Sequence, residues 1–145
     1  MAQSNDVGAL RDWLRTCPLI DTGAPFGVDY LGAEPVCWAI GAAASEWKRR
    51  ENILGETSPA RRQSREYRLD MRGACGADPA ENLRNLERMS GVADWVRKRS
   101  AAGDLPEWSG GRITAVLPAR CAAPEDIDCD SARYRLALRV EYEMD

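Results

Sequence analysis

A chain of 145 residues, 44% hydrophobic and 30% charged, fits one globular domain; at that length a domain buries about 68–70% of the surface its unfolded chain exposes, enough to fold without metal or disulfide staples. Its 20 basic and 23 acidic residues leave a net charge of −3, which excludes an overall field drawing it onto nucleic acid or an anionic membrane. It has no histidine, which removes Ser-His-Asp and Cys-His catalysis, histidine general bases and every histidine-containing metal site.

The polar opening Met1-Ala2-Gln3-Ser4-Asn5-Asp6 has neither the basic nor the apolar run of a signal peptide, and no apolar stretch approaches the ~18 residues a membrane span needs. From Val7 to Thr16, the spacing of Val7, Leu10, Trp13 and Leu14 predicts a helix, with Asn5 or Asp6 as N-cap and Pro18 as its stop. Phe26 to Leu31 reads as a short strand. Val36, Trp38 and Ile40 alternate with Cys37, Ala39 and Gly41, a second strand with one large and one small face.

Residues 45–65 are the least patterned, with Lys48, Arg49, Arg50, Arg61, Arg62 and Arg65 set against Glu46, Glu51 and Glu56; a long irregular loop or arm is expected there. Tyr67, Leu69 and Met71 then alternate with Arg68, Asp70 and Arg72 in a half-buried strand ending near Gly73. Asp78-Pro79 opens a helix. Leu83, Leu86, Ser90, Ala93 and Val96 trace its expected buried face, widened by Trp95, and Gly103 is its expected C-cap. Arg97, Lys98 and Arg99 complement the helix dipole.

Ile113, Ala115 and Leu117 predict the next strand. In the last, Tyr134, Leu136, Leu138, Val140, Tyr142 and Met144 alternate with Arg133, Arg135, Arg139, Glu141 and Glu143. The order α-β-β-β-α-β-β lacks βαβ alternation. It predicts a single α+β domain over 1–145, with a largely antiparallel sheet and two main helices packed on it.

Chemistry-bearing patterns are few. Asp126, Asp128 and Asp130 begin like a calcium loop, but the sixth and twelfth positions, where glycine and glutamate are needed, are Ser131 and Ala137. Cys17, Cys37, Cys75, Cys121 and Cys129 form no C-x-x-C pair and read as reduced thiols of a protein folded in a cytoplasm; Cys121 and Cys129 are close enough in sequence to pair under oxidation. No phosphate-binding glycine motif occurs, and no carboxylate pair is singled out by spacing. No catalytic residue, cofactor or metal ligand is assigned, and an enzyme is not expected. The basic loop is interleaved with acids, so protein docking or simple solvation is favoured over nucleic-acid recognition. Of five tryptophans, Trp13, Trp38 and Trp95 are expected in the core, and Trp47 and Trp108 as interface aromatics in loops. The charged face of the last strand reads either as a solvated face or as one that meets a neighbouring subunit.

Several short motifs recur in order: Arg11-Asp12-Trp13-Leu14-Arg15-Thr16-Cys17-Pro18-Leu19-Ile20, Val28-Asp29-Tyr30-Leu31-Gly32, Asn82-Leu83, Ala93-Asp94-Trp95, Gly103-Asp104-Leu105-Pro106 and Ala132-Arg133-Tyr134. In these the chain resembles the small tail-terminator proteins of tailed phages and prophages. It departs from their pattern around Trp38 and in the Arg-rich loop.

The resemblance implies a non-enzymatic structural protein of the virion tail or neck, assembled in the bacterial host cytoplasm. It would form a ring, typically hexameric, that caps the tail tube, ends its polymerisation and joins it to the head-side connector. The implied partners are copies of itself, tail tube protein, the connector or stopper, and sheath protein where a sheath is present. On that footing Arg133, Arg135, Arg139, Glu141 and Glu143 are expected at the subunit interface, and Trp47, Lys48, Arg49, Arg50, Arg61 and Arg62 in a tube- or neck-docking loop. A head-side connector or stopper is the nearest alternative. A small ligand-binding or enzymatic α+β domain is the alternative of another class, and needs a pocket with convergent polar groups.

Overall fold

The structure, a computed structural model, describes residues 2–43, 49–121, 123–127 and 130–144. Helix α1 (Ala2–Leu14) is followed by β1 (Phe26–Val28), β2 (Cys37–Ala42), β3 (Arg49–Glu51), β4 (Thr57–Pro59), β5 (Arg62–Ala74), α2 (Pro79–Ala101), β6 (Gly111–Cys121) and β7 (Ser131–Met144). Five strands form one sheet in the order β1-β2-β5-β7-β6, with β1–β2 parallel and the other pairs antiparallel. The fold is α+β. Strands β3 and β4 pair only with each other, so the predicted order gains a hairpin in the stretch expected to be irregular, and β5 begins as early as Arg62.

The clearest alternation in the sequence becomes the central strand. Tyr134, Leu136, Leu138, Val140 and Tyr142 of β7 point with Tyr67, Leu69 and Met71 of β5 into a core that both helices cover. Trp13 of α1 meets Trp95 of α2 with ring centroids 4.9 Å apart, and its indole N–H donates to the Asp104 carbonyl at 3.1 Å. Helix α1 starts at Ala2, ahead of the expected cap, so Asp6 lies inside it, buried and 3.9 Å from Arg65 on the core side of β5.

Asp78 caps α2 as expected, accepting from the Ala80 N–H at 3.0 Å, with Pro79 in the first turn. The other end closes in a Schellman motif: Gly103 donates to Ser100 and Asp104 to Arg99, with Gly103 at φ +79°. The buried face is not the one the leucines mark. It consists of Asn85, Met89, Val92 and Val96, about a quarter-turn away, leaving Leu83 56% and Leu86 46% exposed. The reason is polar. Asn85 is satisfied in the core, donating to the Ala74 carbonyl at 2.6 Å and meeting the Tyr134 hydroxyl at 3.4 Å, so hydrophobic spacing alone could not find the seam.

Strand β6 also departs from simple alternation. A register shift between Ile113 and Ala115 turns Ile113 and Val116 inward and leaves Leu117 partly exposed. Strand β2 is buried on both faces, because the segment after β1 lies across its small-residue side. Arg72 Nε donates to the Gly32 carbonyl at 2.9 Å, and Cys37 Sγ approaches the same oxygen at 3.4 Å.

Candidate docking surfaces

The sheet face away from the helices carries the charged residues of β7. Because β7 runs between β5 and β6, this is a face and not a sheet edge. Register pairs Arg135 with Asp70, Arg139 with Glu66, and Glu143 with Arg62. Arg135 holds Asp70 through two bonds, 2.7 and 3.1 Å, and this bonding raises the pKa of the guanidinium above its ordinary value. Glu143 sits between Arg62 at 3.6 Å and Arg112 at 3.2 Å, and Arg139 lies 3.3 Å from Glu141.

Arg72 and Arg133 are like charges directly opposite one another. They are drawn apart, Arg72 to Gly32 and Arg133 to Glu125 at 2.6 Å and Asp126 at 3.0 Å. A cleft of about 260 Å³ here is lined by Arg68, Arg72, Arg133 and Arg135. Each already has an acceptor: Arg68, for example, donates to the Ala42 carbonyl at 2.9 Å. Carboxylates hold Arg133 and Arg135, and backbone carbonyls hold Arg68 and Arg72, so the four guanidinium groups of the cleft are fixed by the protein's own acceptors.

The predicted docking loop divides in two. Trp47 and Lys48 lie outside the described residues, while Arg49 and Arg50 begin the β3–β4 hairpin, and Arg61 and Arg62 follow it, Arg62 as the first residue of β5. Asn52 builds the turn: its Oδ1 accepts from the Leu54 and Glu56 N–H groups at 2.9 and 3.0 Å, and Gly55 N–H donates to its carbonyl at 3.1 Å. The turn holds out Ile53, 101% exposed, and Leu54, 78% exposed. Two adjacent aliphatics on a structured tip are the feature that reading the segment as a basic arm missed. The signal available was Asn52 and Gly55 bracketing an Ile-Leu pair.

Trp108, expected as an interface aromatic in a loop, is half-buried and packs against the core at the same end of the sheet. Its ring lies edge-on to Tyr142 at 5.0 Å and Tyr67 at 6.1 Å. Beside it runs an open cleft of about 670 Å³, lined by Leu105, Pro106, Trp108 and Ile113 together with Glu107, Arg112 and Thr114. Among the described residues, no group of cysteines and carboxylates gathers as a metal site. Cys17 and Cys37 are buried free thiols, and burial pushes their pKa up. Cys129 and Asp128 lie outside the described residues, so the Cys121–Cys129 pairing and the full acidic triplet do too. No helix among the described residues is long and apolar enough to cross a membrane.

The motif residues themselves are mostly scaffold. Trp13, Trp95 and Asp104 meet at the α1–α2 contact, Asn82 ties the start of α2 to Gly76, and Ala132 is fully buried at the start of β7. No family model and no curated protein matches the chain. A solved structure whose name states no function superposes with a TM-score of 0.53 at 12% identity, over 99% of this chain and 94% of that one. At that identity the likeness concerns the fold alone.

Proposed function

We propose that the chain is a ring-forming cap of a phage-type tail tube, which ends tube growth and offers its far side to the head-side connector. The ordered motifs from Arg11 to Tyr134 motivate the reading. The structural observation that carries it is the spread of exposed apolar side chains over one small domain, among them Ile53 and Leu54 on the hairpin, Leu83 and Leu86 on α2, Val28 at the end of β1 with Tyr30 beyond it, and Ile127 ahead of β7. A ring subunit in a tail neck has neighbours of three kinds, namely its own copies, the tube below and the connector above. A protein with one small ligand needs one concave site.

The test is addition of the purified protein to polymerising tube protein, with tube lengths read by negative-stain electron microscopy. Growth arrest, with density at tube ends, is expected. Unchanged lengths and bare ends would move the protein to the head side of the neck or out of the tail. The cleft beside Trp108 is where the ligand-binding alternative would be sought, because its volume lies in the usual range of small-molecule sites.

A further inference from the structure

The small-residue face of β2 leaves a hollow that its own side chains do not fill. Ala39 and Gly41 are its floor, in about 260 Å³ lined also by Tyr30 and Leu31 from the segment that crosses β2 and by arginines of β5 and β7. A Cβ at Gly41 would stand 2.7 Å from Asp29 Oδ1 and 3.0 Å from Arg68 Nη2, so these two side chains lie directly over the backbone of β2. The volume falls below the roughly 300–1,000 Å³ of a drug-sized site and suits a smaller ligand.

Carboxylates match two of the four arginines. Asp70 takes Arg135 through two bonds, and Glu125 and Asp126 take Arg133 from outside the cleft. Arg72 makes no ion pair with any described residue. Its Nε donates to the Gly32 carbonyl and its Nη1 meets the Ser131 hydroxyl at 3.4 Å, both neutral acceptors. Arg68 gives Nη1 to the Ala42 carbonyl, and its Nη2 lies 3.8 Å from Asp29, whose side chain is 68% exposed. An exposed pair at that distance is weak. A carbonyl fixes the direction of a guanidinium without cancelling its charge, which persists at any working pH. The two charges left to a ligand are therefore those of Arg72 and, once Asp29 turns out to solvent, Arg68.

Their spacing sets the shape of that ligand. Arg68 and Arg72 are four residues apart on β5, about 13 Å between Cα atoms. Register sets Arg68 beside Gly41 and Arg72 beside Cys37, with Ala39 between them, and their bonds draw them toward Ala42 and Gly32. One anionic group cannot serve both, and the Asp70 carboxylate beside Ala39 keeps negative charge out of the middle. A phosphate at each end would bring roughly −1.5 to −2 per group, more than the two guanidiniums match. The geometry points to a binding site for a short aliphatic dicarboxylate: one carboxylate on Arg68, in the place Asp29 now holds, the other on Arg72, and the carbon chain over Ala39. Asp29 is then a built-in competitor for the ligand. The site goes beyond tube capping and needs nothing of it.

The test titrates glutarate into the intact chain at constant ionic strength, with acetate and inorganic phosphate as controls, and follows backbone amide shifts by NMR. Glutarate should bind saturably, move amides at residues 29–32, 39–41 and 68–72, and bind at least about tenfold more tightly than acetate, because two charge-assisted contacts exceed one. Arg72→Gln should weaken glutarate at least about tenfold. Asp29→Asn, at an exposed position, should tighten it about two- to fivefold, the strength of an exposed ion pair. No saturable shift, equal affinity for acetate, tighter binding of phosphate, or largest shifts at residues 105–114 would each overturn the inference. If Arg72→Gln fails to fold, Asp29→Asn decides alone, and unchanged or weaker binding by that variant overturns it. Arrest of tube growth is read in a separate assay, so either result stands without the other.

Discussion

Replacing Gly73 by alanine tests the least expected part of the core. A Cβ on Gly73 would lie 2.6, 2.7 and 2.9 Å from Oδ1, Cγ and Nδ2 of Asn85, closer than side-chain carbons pack. Asn85 is 4% exposed, and its amide is held by the Ala74 carbonyl and the Tyr134 hydroxyl. Its amide must therefore give up its bonds to the Ala74 carbonyl and the Tyr134 hydroxyl. A buried amide left unbonded costs about 1–3 kcal/mol, and overpacking costs about 1–3 kcal/mol. The lower backbone entropy of alanine in the unfolded chain returns about 0.4–1 kcal/mol.

The net expectation is a loss of roughly 2–4 kcal/mol, read from urea unfolding followed by tryptophan fluorescence at constant m. Asn85→Ala alone should cost about 1–3 kcal/mol, because the Ala74 carbonyl loses its partner. In the double variant the new methyl occupies the vacated space, so the pair should beat the sum of the singles by at least about 1 kcal/mol. A Gly73→Ala protein within about 0.5 kcal/mol of wild type, or strictly additive singles, would refute the reasoning.

Burial raises the Asp6 carboxyl above its ordinary 3.8, against the lowering pull of Arg65. Its folded pKa exceeds its unfolded one, so its contribution to stability is full below the unfolded value and is lost as pH rises through the folded value. Asp6→Asn removes that titration and should gain on wild type in urea midpoint as pH rises from about 4 to about 7; a constant or narrowing gap would contradict the assignment. Charge reversal should separate Arg135 from Arg139. Arg135→Glu sets a carboxylate against buried Asp70 and should cost about 3 kcal/mol or more, whereas Arg139→Glu, at a half-exposed pair, should cost under about 1 kcal/mol by the same assay. Equal losses would mean that the Asp70–Arg135 pair does not anchor the sheet face.

What could be read from the sequence was what repeats. The β7 alternation, the Asp78-Pro79 helix start and the Tyr67–Met71 strand all rest on period or capping chemistry that acts locally, and they appear in the structure where the pattern puts them. The misreadings have tertiary causes. Leu83 and Leu86 marked the wrong face of α2 because a satisfied polar residue, Asn85, holds the seam. Leu117 left the core because one residue of bulge resets every side chain beyond it. Trp108 is half-buried against Tyr67 and Tyr142, a contact that reading its loop alone could not find because both neighbours are distant in sequence. The hairpin within 45–65 was hidden by its short strands and dense charge, and the Ile53–Leu54 tip with it. That the charged face of β7 neutralises itself depends on register with β5, which no single strand reveals.

The tube-capping proposal is tested most directly by deleting the protein from the particle that encodes it and measuring tail lengths by negative-stain electron microscopy. Tubes of uncontrolled length without attached heads are predicted. Tails of normal length joined to heads would contradict the proposal and direct attention to the cleft beside Trp108.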